Sequence, residues 1–263
     1  MMKSSNPTLN ANVFTKAQSV GAGGAMTLQG TVNKTIALLA CVLVTATFVW
    51  NKFFAGMSTM AGGFGEVGLA PNPMSIVGPL MMTGAIGGFI VALVTIFNKQ
   101  WSPVTAPIYA LLEGLFLGGI SAVFEAQYPG IVIQAVALTF GTLFSLLMAY
   151  KSGMIKATEN FKLGVVAATG AICLIYIVSF IMSFFGGSIP LIHSSGTFGI
   201  LFSLFVVTIA ALNLVMDFDF IEHGAESGAP KYMEWYGAFG LMVTLIWLYI
   251  EFLRLLAKLQ SRR

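Results

Sequence analysis

The sequence predicts an all-α fold, a polytopic membrane bundle of seven transmembrane helices. Three observations predict it. Of 263 residues, 57% are hydrophobic and only 9% charged, whereas a soluble domain carries about 25% charged residues and needs them to stay dissolved. Seven stretches are apolar over the ~20 residues a helix needs to cross a bilayer. The connections between them are short and hold turn residues, which makes consecutive helices antiparallel neighbours. The net charge of +3 is small and gives no reason to expect a nucleic-acid partner. Its positive residues sit at segment ends, where anionic headgroups lie, so the expected partner is the lipid bilayer.

Taken in order, the predicted spans are 33–54, 75–98, 104–124, 130–150, 163–185, 197–219 and 235–257. "AQYPG" turns the chain between the third and fourth, and "GGSIPLIHSSG" between the fifth and sixth. The one long connection, 55–74, is rich in Gly and Pro, which argues against a further span. Gly84 with Gly88 and Gly114 with Gly118 form GxxxG pairs, the small-residue pattern that lets membrane helices approach closely. The chain therefore divides into a polar, mostly flexible tail, 1–30, and a transmembrane domain, 31–263. The tail lacks the apolar core of a cleavable signal peptide, so the first span is expected to direct insertion. Cys41 and Cys173 each lie within an apolar run and read as small buried hydrophobes, with neither disulfide nor metal spacing.

Orientation follows from basic residues near the span ends. With the N-terminus inside, eight fall on the inner side (Lys3, Lys16, Lys34, Lys99, Lys151, Lys156, Lys162 and Lys231). Five fall outside (Lys52, Arg254, Lys258, Arg262 and Arg263). The balance favours a cytoplasmic N-terminus, and the basic C-terminal tail pulls the other way.

Acidic residues within spans carry the functional signal, because a charged, unpaired carboxylate in lipid costs several kcal/mol. Glu113 lies mid-span beside Gly114, either as a protonated clasp between helices or as a functional acid. Asp217 and Asp219, the only aspartates, are two apart and point roughly opposite ways round a helix. Asp217 shares a face with Asn213, and Asp219 with Glu222, so one aspartate can face the bundle and the other the headgroups. Glu251 sits in an apolar run with Arg254 one turn on, within reach of an ion pair. No nucleophile–base set, HExxH or GxSxG occurs, and His193 and His223 fall in loops, so no enzyme activity is expected. No resident cofactor is expected either.

Four stretches, "EGLFLGGISAVFE" (113–125), "FGTLFSLLMAYKSG" (140–153), "LVMDFDFIE" (214–222) and "LYIEFLRLLAKL" (248–259), give the chain a resemblance to the Bax inhibitor family, on its bacterial YccA-like side. The resemblance runs through all seven spans. It implies six helices surrounding a central C-terminal helix, a multi-pass protein of the bacterial inner membrane, and a pH-sensitive calcium leak. The YccA-like likeness implies association with a membrane protease. By motif, the family's proton-sensing pair of acids falls on Asp217 and Glu251. Asp219, Glu113, Arg254 and Asn213 are supporting residues, and calcium is a permeant ion that could be bound at Asp217 and Glu251.

Two departures weigh on that pair. The seventh-helix acid is glutamate where the family usually has aspartate. The two acids are also far apart in sequence: around a turn near 227, Asp219 is level with Glu234, so pairing Asp217 with Glu251 needs "GAESGAPKYMEWYG" to absorb many residues. If the pair forms, two carboxylates in a low dielectric share a proton and hold the sixth and seventh helices closed, and loss of the proton parts them. The rival expectation is a non-conducting regulator that binds a membrane protease or stress-response partner through its tail.

Overall fold

Each of the seven apolar stretches forms one continuous α-helix in the computed structural model, which describes residues 24–61, 72–187 and 196–262. The helices are α1 (Leu28–Ala61), α2 (Pro73–Phe97), α3 (Ser102–Gln127), α4 (Ile131–Lys151), α5 (Glu159–Phe184), α6 (Thr197–Glu226) and α7 (Met233–Gln260). All seven are long and apolar enough to cross a membrane. Among the described residues the only β pairing is an isolated bridge.

Local chemistry sets the helix ends. The Asn72 side chain accepts from Met74 N and Pro73 opens α2, while Thr158 Oγ1 accepts from Phe161 N at the start of α5; both satisfy helix-end donors that would otherwise lack partners. Gly130 precedes α4 with φ +85°, a left-handed turn that glycine adopts without strain.

The helices outrun the predicted spans at several ends. α1 begins at Leu28 and takes in residues 55–61 of the long connection; 62–71 lie outside the described residues, as do the tail to residue 23 and His193. The predicted flexible tail is therefore shorter at its inner end. Ala25 bridges Pro230, Met26 N donates to Ala229 O (2.7 Å), and Met26 is buried.

The described chain forms two compact units. The first comprises Gln29–Pro129 with Tyr232–Phe239, hence α1, α2, α3 and the start of α7. Both GxxxG pairs act here. A Cβ on Gly114 or Gly118 would strike the α1 backbone at Val42 or Ala46, and one on Gly84 would strike the α3 backbone at Leu112 and Phe116. Gly88 leaves room for the carboxylate of Glu113. Val49, Phe53, Val77 and Ala122 fill the space between these helices.

The second unit comprises Gly130–Lys231 and Gly240–Arg263, with the segment ending at Leu28. It holds α4, α5, α6 and most of α7, and its core includes Ile172, Val206 and Ile209, against which Tyr176 and Trp247 pack. α7 is the most buried span: 67% of its most apolar stretch lies inside, against 17–50% for the others. The cysteines depart from expectation. Cys41 is half-buried and Cys173 exposed, and lipid is as hospitable to an apolar thiol as a core would be.

Candidate functional site: a polar ladder in the second unit

The buried face of α5 repeats every seven residues. Val165 and Ile172 supply its apolar positions, and Lys162, Thr169 and Tyr176 supply polar ones between them. Seven residues are nearly two helical turns, so the three polar side chains line one face at intervals of ~10 Å. Each meets a partner. Lys162 Nζ lies 2.8 Å from Asp219 Oδ2 on α6. Asn213 Nδ2 on α6 donates to Thr169 Oγ1 (2.9 Å). The Tyr176 hydroxyl donates to Glu251 Oε1 on α7 (2.9 Å).

The same spacing recurs on the facing helices. On α6, Ser203 and Asp217 are fourteen residues apart with Ala210 between them, and all three are buried. On α7, Thr244, Glu251 and Lys258 recur at seven-residue steps. Glu251 and Asp217 are almost wholly inaccessible, at 1% and 0%. Arg254 Nη1 donates to Glu251 Oε1 (3.0 Å) and its guanidinium lies 5.4 Å from the Tyr176 ring centre. Lys258 Nζ donates to Ser203 Oγ (2.8 Å) and Gly199 O (3.0 Å). A ladder of polar groups thus runs along α5, α6 and α7, from Lys162–Asp219 at one end to Lys258–Ser203 at the other.

The ladder fixes the depth of the two acids. α6 ends at Glu226 and α7 starts at Met233, so the "GAESGAPKYMEWYG" stretch makes a six-residue turn and absorbs little chain. At the far end Lys258 reaches Gly199 and Ser203. Both ends give one register, in which Glu251 is level with about residue 208 and Asp217 with about residue 242. α5 agrees: Glu251 meets Tyr176, whereas the bonds flanking Asp217 on α6 run to Thr169 and Lys162. Nine residues of helix separate the levels, or ~14 Å. The expected shared-proton pair of Asp217 and Glu251 finds no support in this register, which sets them as two separate stations.

The supporting residues divide. Asn213 and Arg254 belong to the ladder, and the Glu251–Arg254 ion pair forms as expected. Asp219 is only 14% exposed and is held by Lys162, with His223 Nδ1 3.6 Å from its other oxygen; His223, expected in a loop, lies within α6. Glu113 lies in the other unit, bonded to Tyr109 one turn earlier on its own helix and resting on Gly88 of α2.

Sequence reasoning missed Lys162, Thr169, Tyr176, Lys258 and Ser203. The signal for the first four was the seven-residue recurrence of polar residues on α5 and α7, hidden because lysines near span ends read as headgroup contacts. It also missed Glu234 in the first unit. That carboxylate is fully buried and paired with Lys34, which lies 5.5 Å over the Trp235 ring. A side chain on Gly30 would collide with it.

The described residues hold no cluster of three or more side chains suited to a metal ion. What the ladder offers is different: oxygen and nitrogen groups in a line through an apolar unit.

No curated protein matches the chain. Residues 6–261 match the family model described as Bax inhibitor 1 like, a match over nearly the whole chain, helices and ladder included; this multi-pass membrane protein belongs to the Bax inhibitor 1 like family.

Proposed function

We propose that the protein is a pH-sensitive cation leak, conducting calcium slowly along the polar ladder, with Asp217 and Glu251 as its titrating stations. The observation that carries this reading is the seven-residue recurrence of polar side chains on α5 and α7, met across the packing by Ser203, Asn213 and Asp219 of α6. Buried polar groups in a membrane are expensive and persist where they serve a path or a proton relay. At Asp217 loss of a proton adds a charge between helices, and at Glu251 gain of one releases Arg254; either change draws in water and a cation and loosens the seam. Carboxylate, hydroxyl and amide oxygens are the ligands calcium accepts. No step requires an enzyme's nucleophile.

In this reading the N-terminus is cytoplasmic, and the membrane is the bacterial inner membrane. Lys34 and Lys162 are engaged with acids, and Arg254 and Lys258 with ladder groups. Setting these aside leaves six basic residues on the inner side and three on the outer, a stronger bias than the raw sequence gives.

The test is calcium flux into proteoliposomes across a pH series, for the wild type, Asp217→Asn and Glu251→Gln. The expected result is a pH-dependent wild-type flux whose profile shifts in both variants. Flux indifferent to both substitutions would rule out the gate.

A second reading has one supporting observation. The tail leaves the described residues at Gly24, and the next two residues bind the α6–α7 turn at Ala229 and Pro230. A membrane protease or stress-response partner gripping residues 1–23 would pull on that turn, making the protein a non-conducting regulator. Deleting 1–23 would then abolish association and leave any flux intact.

A further inference from the structure

Lys258 lies within the last turn of α7, where a lysine ordinarily extends to the headgroups. Here its ammonium turns inward and bonds two neutral oxygens of α6, one of them on Ser203, which is 3% exposed. One turn earlier Arg254 already balances Glu251. Glu251, Arg254 and Lys258 together therefore leave this end of the ladder with a net positive charge. A divalent ion moving beyond Glu251 meets that charge at close range. A proton carries one charge where the divalent ion carries two, so the same ammonium opposes it half as strongly.

We propose that Lys258, pinned by Ser203, is a specificity-determining barrier that holds divalent cations back at this end of the ladder while protons pass. The proposal rests on the leak reading above and adds to it the residue that keeps the leak slow.

The experiment measures calcium and proton influx in parallel in proteoliposomes containing wild type, Lys258→Gln, Lys258→Arg or Ser203→Ala. Removing one positive charge about 6–8 Å from a divalent ion in water-like surroundings predicts a calcium flux about five- to tenfold higher in Lys258→Gln. Proton flux rises less, by about two- to threefold, Lys258→Arg behaves as wild type, and Ser203→Ala, which removes one of the ammonium's two bonds, falls between. A leaking wild type with Lys258→Gln calcium flux unchanged overturns the barrier, as does an equal rise in Lys258→Arg. If Lys258→Gln fails to fold by size-exclusion chromatography, Lys258→Met, which keeps the stem and removes the charge, decides: calcium flux equal to wild type overturns the proposal. Absence of calcium flux in every protein sinks the leak reading itself, and the barrier with it.

Discussion

Glu234 and Glu251 are buried glutamates on one helix, each met by a cation, yet their pairs are unlike. Glu234 is wholly enclosed and Lys34 only 18% exposed, so removing the cation strands a charge with no route to water. Lys34→Met is expected to cost ~3–5 kcal/mol, the usual penalty for breaking a buried pair. Adding Glu234→Gln should recover much of it, measured by thermal unfolding in detergent. Arg254 is 43% exposed and can swing to the headgroups when its partner is neutralised. Glu251→Gln should therefore cost no more than ~1 kcal/mol, and Tyr176 can still donate to the amide oxygen. The sequence made Glu251 conspicuous because it interrupts an apolar run. Glu234 drew no functional reading because it fell one residue before the predicted start of its span, where an acid reads as solvated.

At the scale of elements, glycine pairing separates positions that sequence alone treats alike. Gly118 of α3 faces the α1 backbone, whereas Gly141 of α4 has open space where a side chain would be. Gly118→Ala is expected to destabilise by ~1–3 kcal/mol through overpacking. Gly141→Ala should be neutral or stabilising by up to ~1 kcal/mol through helix propensity. Parallel thermal melts of the two variants check the contrast. Seven helices and both GxxxG pairs were legible, because length, apolarity and small residues are local signals. The register of α7 against α5 and α6 was not. It depends on how many residues the α6–α7 turn consumes, and "GAESGAPKYMEWYG" is compatible with either a wide loop or the short turn that forms. Lys162 shows the same limit: it fell one residue before the predicted start of its span, and its partner is revealed only when α6 is packed beside it.

For the molecule as a whole, the family and the membrane-spanning architecture follow from patterns spread over the entire chain, while the proposed function rests on a few side chains in one unit. Orientation is open to a simple check. With Cys41 and Cys173 replaced, a membrane-impermeant thiol reagent added to intact cells should label Ser261→Cys and spare Ser152→Cys; the opposite pattern would reverse the assignment. The depth of the two acids bears most directly on mechanism, since a shared proton makes Asp217 and Glu251 one device and separate stations make them two. The decisive measurement is a double-mutant cycle on calcium flux with Asp217→Asn, Glu251→Gln and the combined variant. Two stations ~14 Å apart predict that the effects on the logarithm of the flux add. A combined variant no different from either single one would show that the two carboxylates act as one pair.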